Sequence, residues 1–312
     1  MDLIVHISEK GMRLDRFLRI HRPDLAHGAA IGLLRSGRLT VDGRPFRLAD
    51  GLAPGQVVSV AEAPPAKPAA RSEPPADPGR IAAARTRLAA MTLYEDADLI
   101  VFDKPSGLAV HPGSRAGDDL DSLLALLVDD GGERPRLVHR LDRETSGVIL
   151  AARTRWVAAR LGRSFAGRRV EKTYVALVEG VPEEEAGVIV RALAPRATAA
   201  GGRMVAVDDA AEGAIAAETG WRRLAAAGDG SIALLLVAPK TGRRHQIRAH
   251  LATIGHAILG DPLYGRRTTA PRLMLHARRL VFPGLRGGRI EVVAPLPAAF
   301  EARFPGAATV VP

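Results

Sequence analysis

The chain has 312 residues, enough for two domains, one of them with a substantial core. Hydrophobic residues make up 47% of it, and 44 Lys+Arg against 34 Asp+Glu leave a formal charge of +10. That balance points to a polyanionic partner, nucleic acid before membrane, while the lack of any cysteine excludes disulfides, thiolate zinc sites and a cysteine nucleophile.

The cations are overwhelmingly arginine, which suits bidentate phosphate contacts, although a GC-rich genome inflates arginine and alanine as well. Met1 to Lys10 lacks the basic region, long apolar run and cleavage site of a signal peptide. The longest apolar stretch, Ile232 to Ala238, is too short to span a membrane. A cytoplasmic protein is the expectation.

Leu14, Phe17 and Leu18 fall at helical spacing, and Ile31, Leu33 and Leu34 suggest a second short helix. Leu39-Thr40-Val41 reads as a strand, Asp42-Gly43 as a hairpin turn, and Val57, Val58 and Val60 close the unit near residue 61. Arg13, Arg16, Arg19, Arg35 and Arg38 decorate the two helices, either as a solvated basic face or as an RNA-contacting one. Residues 62–80 are rich in proline among alanines and charges, an extended linker by composition. Ile81 to Ala90 is a candidate helical lead-in, so the Pro/Ala-rich linker is placed at 62–90. From Met91 to the end, strands, turns and short helices alternate.

Leu99 to Phe102 is a buried strand by its apolar run, and Lys104-Pro105-Ser106-Gly107 a turn by its chemistry. Lys104 is either a phosphate contact or a structural lysine beside that turn. Next comes His139-Arg140-Leu141-Asp142-Arg143-Glu144-Thr145-Ser146-Gly147, flanked by apolar runs. A turn between two buried strands fits, with one carboxylate between two arginines. Cationic neighbours keep such a carboxylate ionised, as a nucleophile or base must be. An exposed, self-neutralising turn has the same residue types. Thr145, Ser146 and Gly147 read as turn stabilisers.

Glu171 to Val178 alternates as a strand, with Tyr174, Ala176 and Val178 on one face. A tyrosine at the start of a strand reads as core or rim by position. After the apolar strand Ile232 to Val237 comes Pro239-Lys240-Thr241-Gly242-Arg243-Arg244-His245-Gln246-Ile247-Arg248. A helix from Arg244 would bury Ile247, Leu251 and Ile254 and stack Arg244 and Arg248 one turn apart. Arg248 would then be held beside the core, suited to pairing with a carboxylate. His245 and His250 are five apart, on different helix faces, unlike the i,i+4 pair of a zinc helix, so no metal is expected. Asp261 before Pro262 reads as a turn-fixing residue. Neither a phosphate-binding GxxxxGK[ST] loop nor a GxGxxG turn is present.

These blocks, in this order, resemble the RluA family of pseudouridine synthases over residues 91 to about 297. The resemblance implies an α+β pseudouridine synthase fold for residues 91–312, with a long mixed, mainly antiparallel central sheet and flanking helices. It implies isomerisation of uridine to pseudouridine in RNA without a cofactor. It implies Asp142 as the attacking carboxylate, Arg248 as its ion-pair partner and Tyr174 as the residue that stacks on the flipped base. Arg140 would help displace the target base, and Lys104 and Arg244 would contact RNA. Attack at C1′ and attack at C6 both remain open. GMRLDRFLR followed by LLRSGRLTVDGRP resembles a small ribosomal-protein-type (S-four-type) RNA-binding domain over residues 1–61, with Arg13, Arg16, Arg35 and Arg38 as RNA contacts. It departs from that pattern at His27-Gly28-Ala29-Ala30. Within the family the chain is similar to the RluC/RluD branch, and the residues before the signature resemble the RluC side. That implies 23S rRNA as substrate; nothing in the sequence suggests an obligate interface, so a monomer is the expectation. The same chemistry on transfer RNA, and a non-catalytic ribosome-assembly factor, are the alternatives.

Overall fold

The computed structural model describes residues 2–22, 25, 27–48, 50–61, 77–112, 118–128, 133–197, 202–266 and 270–312. The chain divides into two compact units, Met1–Pro75 and Ala76–Pro312.

The first unit contains β1 (Asp2–Ile4), α1 (Leu14–His21), α2 (His27–Arg35), β2 (Leu39–Val41) and β3 (Val57–Val60). The strands form an antiparallel sheet in the order β1-β3-β2. Leu14, Phe17 and Leu18 of α1 pack on Leu39, Val41, Val58 and Val60, as their spacing predicts. Asp42 and Gly43 both take positive φ, at 51° and 70°, and close a tight turn onto Arg44. The strand β1 went unread in the sequence because three residues carry too little pattern.

The second unit contains α3 (Pro78–Met91), β4 (Thr92–Glu95), β5 (Leu99–Lys104), α4 (Leu120–Ala125), β6 (Arg136–Leu137), β7 (Ser146–Ala152), α5 (Arg155–Ala166) and β8 (Glu171–Glu179). There follow β9 (Ala186–Val190), β10 (Ala192–Arg196), β11 (Arg203–Val207), β12 (Glu218–Ala226), β13 (Ile232–Pro239), α6 (Gln246–Thr253), β14 (Leu275–Pro283), β15 (Arg289–Val293), α7 (Ala298–Arg303) and α8 (Ala307–Val310). The central sheet runs β4-β5-β7-β14-β8-β13-β12-β9, with β15 added to β14 and β6 to β7. Its described pairings are antiparallel except β7 with β14, so the sheet is mixed and mainly antiparallel. Strand alternation divides the core. Ile100, Phe102, Ile149 and Ala151 face α3 and α4, while Leu99, Val101, Val148 and Leu150 face Val157 and Leu161 of α5. A further cluster gathers β8 and β13 against α6, α7 and α8.

One boundary shifts. Residues 78–90, placed within the linker with Ile81 to Ala90 as a candidate helical lead-in, form most of α3, which starts at Pro78 behind an Asp77 cap. Its Ala84 and Leu88 are buried against Ile100 and Phe102, so this helix belongs to the second unit. Of its alanines only Ala84 is buried, while Ala82, Ala83, Ala89 and Ala90 are exposed, so little apolar pattern marked the helix in the sequence. Residues 62–76, the remainder of that linker, lie outside the described residues.

Candidate active site

Asp142 sits in the loop between β6 and β7, whose entry is held by pairing of β6 with the far end of β7 and whose exit, Ser146–Gly147, is held by pairing with β14. The loop is tied down from several directions. Thr145 N–H donates to the Asp142 carbonyl at 3.1 Å, and Gly107 N–H donates to the Arg143 carbonyl at 2.9 Å. Ser106 Oγ donates to the Glu144 carbonyl at 2.7 Å, and Arg143 Nε returns a bond to the Gly107 carbonyl at 2.8 Å. His139 stacks on Phe165 with ring centres 4.7 Å apart, and its Nε2 accepts the Leu150 N–H at 3.0 Å. Gly147 at the loop's exit needs its hydrogen side chain, because a Cβ there would lie 2.2 Å from the Ala277 carbonyl oxygen of β14. Ser146 Oγ bonds His276 Nδ1 across the same strand pair at 2.9 Å. The Ser146 hydroxyl, Gly147 and the Thr145 backbone are therefore scaffold.

Lys104 is corrected by the structure. Its side chain is fully buried, and Nζ donates to the carbonyls of Pro105, Leu108 and Arg143 at 2.9 to 3.0 Å. Burial pushes its ammonium down to about 7. It ties the Pro105–Gly107 turn to the Asp142 loop and presents no face to RNA. The sequence hid this because one of the three carbonyls comes from the distant Arg143.

Arg248 comes to Asp142 from α6. The helix begins at Gln246, not Arg244, since the Gln246 side chain closes the preceding turn. Its Oε1 accepts from Arg243 N–H and Thr241 Oγ, and its Nε2 donates to the Glu218 carbonyl and Thr219 Oγ. Arg244 is thus exposed ahead of the helix, not stacked one turn before Arg248. Ile254 is 37% exposed, so the buried face is Ile247 and Leu251 without it.

The Arg248 guanidinium is 4% exposed and serves two carboxylates. Its Nε and one terminal nitrogen bond Asp261 at 2.7 and 2.8 Å, a bidentate pair that fixes the guanidinium plane. The other terminal nitrogen reaches Asp142 Oδ2 at 3.1 Å. Together the two acids raise Arg248 against the cost of its burial. Asp261 also accepts the N–H groups of Leu263 and Tyr264, the turn role read from the sequence. Its second partner was missed, because Asp-Pro turn chemistry already accounted for the residue locally.

The carboxylate of Asp142 opens into a cleft of about 420 Å³. Arg140, Lys172, Tyr174, Arg244 and His245 line it with the Asp142 loop. Tyr174 is half-buried on β8, between β13 and β14, and burial with the nearby Asp142 charge raises its phenol. Lys172, which no pattern in its strand marks as functional, donates to the Thr241 carbonyl at 2.8 Å and is pushed down to about 8 by burial. His245, considered from sequence only as a metal ligand, places Nε2 3.9 Å from Asp142 Oδ2. No spacing rule in the sequence announces that approach. His250 is buried on Thr219 and the Arg191 carbonyl, and His256 bonds the Glu179 carbonyl. Among the described residues no cluster of histidines and acids has the form of a metal site.

Of the first unit's arginines, Arg13 is 58% exposed and bonds Asp15, Arg16 is exposed on α1, and Arg38 is half-buried ahead of β2. The Arg35 side chain and those of His27 to Ala29 lie outside the described residues.

The sequence profile of the RNA pseudouridylate synthase family matches residues 98–253. An uncharacterized RNA pseudouridine synthase of Zymomonas mobilis is 39% identical over 68% of this chain and 96% of its own length. The ribosomal large subunit pseudouridine synthase C of Escherichia coli is 33% identical over 93% of this chain and 91% of its own. The structure of human RNA pseudouridylate synthase domain containing 4 superposes with a TM-score of 0.60 at 28% identity, over 72% of this chain and 96% of that one. The large unit has the pseudouridine synthase fold, and the chain belongs to the RNA pseudouridylate synthase family, in its RluA branch.

Proposed function

We propose that this isomerase converts specific uridines of 23S rRNA to pseudouridine with Asp142 as the attacking carboxylate. The observation that carries this reading is the buried Arg248 guanidinium, locked by Asp261 and holding Asp142 at 3.1 Å on the cleft wall. A buried ion pair is poor support for stability alone, so placing a charged, oriented carboxylate is the better reason for it. The target uridine leaves its stack to enter the cleft, at a cost of a few kcal/mol of unstacking. Tyr174, a neutral phenol at the edge of the core, offers its face to the flipped base. Arg140 and Arg244 are exposed on the rim, suited to phosphates and to the space that the base vacates.

The large-subunit target is favoured by relatives whose names state that activity and whose similarity runs over nearly the whole chain. The first unit acts as an S-four-type RNA-binding domain, with Arg13, Arg16, Arg35 and Arg38 toward RNA and the linker aiming it. The enzyme acts in the cytoplasm as a monomer. Mapping pseudouridines in rRNA and transfer RNA from cells lacking the gene tests the target. The expected result is loss of 23S sites, restored by the wild-type gene and not by Asp142→Ala. Intact 23S sites with a missing transfer-RNA site would refute it.

A further inference from the structure

Pseudouridine formation needs two acid–base events besides the attack. Once C5 of the turned uracil has bonded to C1′, C5 still carries its hydrogen. That C5–H bond must break. Its electron pair forms C5=C6, the C6=N1 pair moves onto N1, and N1 takes up a proton. The net change is N1–C1′ and C5–H for C5–C1′ and N1–H, so no oxidant or co-reactant is needed. A proton acceptor separate from the attacking carboxylate spares Asp142 both tasks.

The cleft narrows the choice. His139 faces Asp142's loop, but its Nε2 lone pair is taken by the Leu150 N–H. Tyr174 keeps its proton, since burial and the Asp142 charge both oppose a phenolate. Lys172 donates from Nζ to the Thr241 carbonyl and remains an ammonium at neutral pH. His245 is left, and hydrogen-bond bookkeeping fixes its tautomer. Tyr264 has one hydroxyl proton, which it donates to the Met204 carbonyl at 2.8 Å while accepting the Met204 N–H at 2.9 Å. The contact of 3.1 Å between His245 Nδ1 and the Tyr264 oxygen must therefore carry the imidazole's proton. Nε2 then bears a lone pair, 3.9 Å from Asp142 Oδ2, with no proton between them. The backbone supports a functional reading. His245 takes a left-handed φ of 52°, a costly conformation outside glycine, at the residue just before α6. Burial and two arginines disfavour its charged form, and Asp142 favours it. It stays neutral at rest, with a carboxylate beside it to steady the imidazolium once a proton arrives.

We propose that His245 Nε2 is the base that takes the C5 proton. The assignment rests on the reading above, with Asp142 as the attacking group. A weak base suffices, because a C5 hydrogen flanked by the C4 carbonyl and the C6=N1 bond is acidic.

His245→Asn is the informative variant. Asparagine tolerates the left-handed backbone, and its amide can still donate to Tyr264, but it offers no basic nitrogen. Transcripts carrying tritium at C5 of the target uridine report proton release. Transcripts with 5-fluorouridine there have no C5 proton to lose. The expected result is tritium release slowed by about 100-fold or more, with rearrangement of the fluorinated target at the wild-type rate. Unchanged tritium release, or equal slowing on both transcripts, overturns the assignment. Wild-type enzyme that releases no tritium from any rRNA transcript would instead defeat the proposed function, and the assignment with it.

Discussion

Asp261→Asn changes one atom and removes a charge that never meets solvent, since Asp261 is fully buried. Oδ1 accepts from Leu263 N–H, Tyr264 N–H and one Arg248 nitrogen, so the asparagine oxygen will keep that position. The new amide nitrogen then faces Arg248 Nε, where Oδ2 accepted at 2.7 Å. A bond to a charged group, of about 1.5–3 kcal/mol, becomes donor against donor, and stranding the buried N–H costs about 1–3 kcal/mol more. The total of roughly 2.5–6 kcal/mol brackets the loss of about 3–5 kcal/mol expected when one side of a buried pair is removed. The guanidinium is then free to turn toward Asp142, which loses its fixed direction. Urea unfolding should show the stability loss, and single-turnover pseudouridine formation should slow with little change in RNA affinity. A variant with wild-type unfolding midpoint and wild-type rate would refute the reasoning.

Lys104→Met should lower stability by about 1–3 kcal/mol for each carbonyl left without a donor, read by thermal unfolding. The folded variant should bind RNA as wild type does; weaker binding would return Lys104 to the RNA surface. Tyr174→Phe should keep most activity, and Tyr174→Ala should lose about 1–3 kcal/mol of stacking on the base, measured as single-turnover rate. His139 and His276, pushed down to about 3, and His245, to about 4, are neutral when folded. Below their ordinary value near 6.5 the unfolded chain binds the extra protons, so stability falls as pH drops from about 6.5 toward 4. The slope is about 1.4 kcal/mol per pH unit for each histidine that charges only on unfolding. A flat urea midpoint across that window would contradict it.

Local pattern made some of the structure legible. The apolar runs at Leu99–Phe102 and Ile232–Val237 became strands, and Leu14, Phe17 and Leu18 became the buried face of α1. The approach of Arg248 to Asp142 was expected from ordered motifs that resemble a known family, not from spacing. What stayed hidden depends on distant chain segments meeting. Lys104 looks like an exposed turn cation until the Arg143 carbonyl is placed on it. Arg244 looks helical until Gln246 is seen to close the turn behind it. Asp261 and His245 have ordinary neighbours in sequence, and only the fold brings them to Arg248 and Asp142.

Asp142→Asn in a single-turnover assay on a 23S rRNA transcript measures the central claim most directly. The asparagine oxygen can still accept from Arg248 at Asp142's position, so folding and RNA binding should survive. The account predicts pseudouridine formation falling below detection while bound RNA is unchanged. Conversion at the wild-type rate would contradict it.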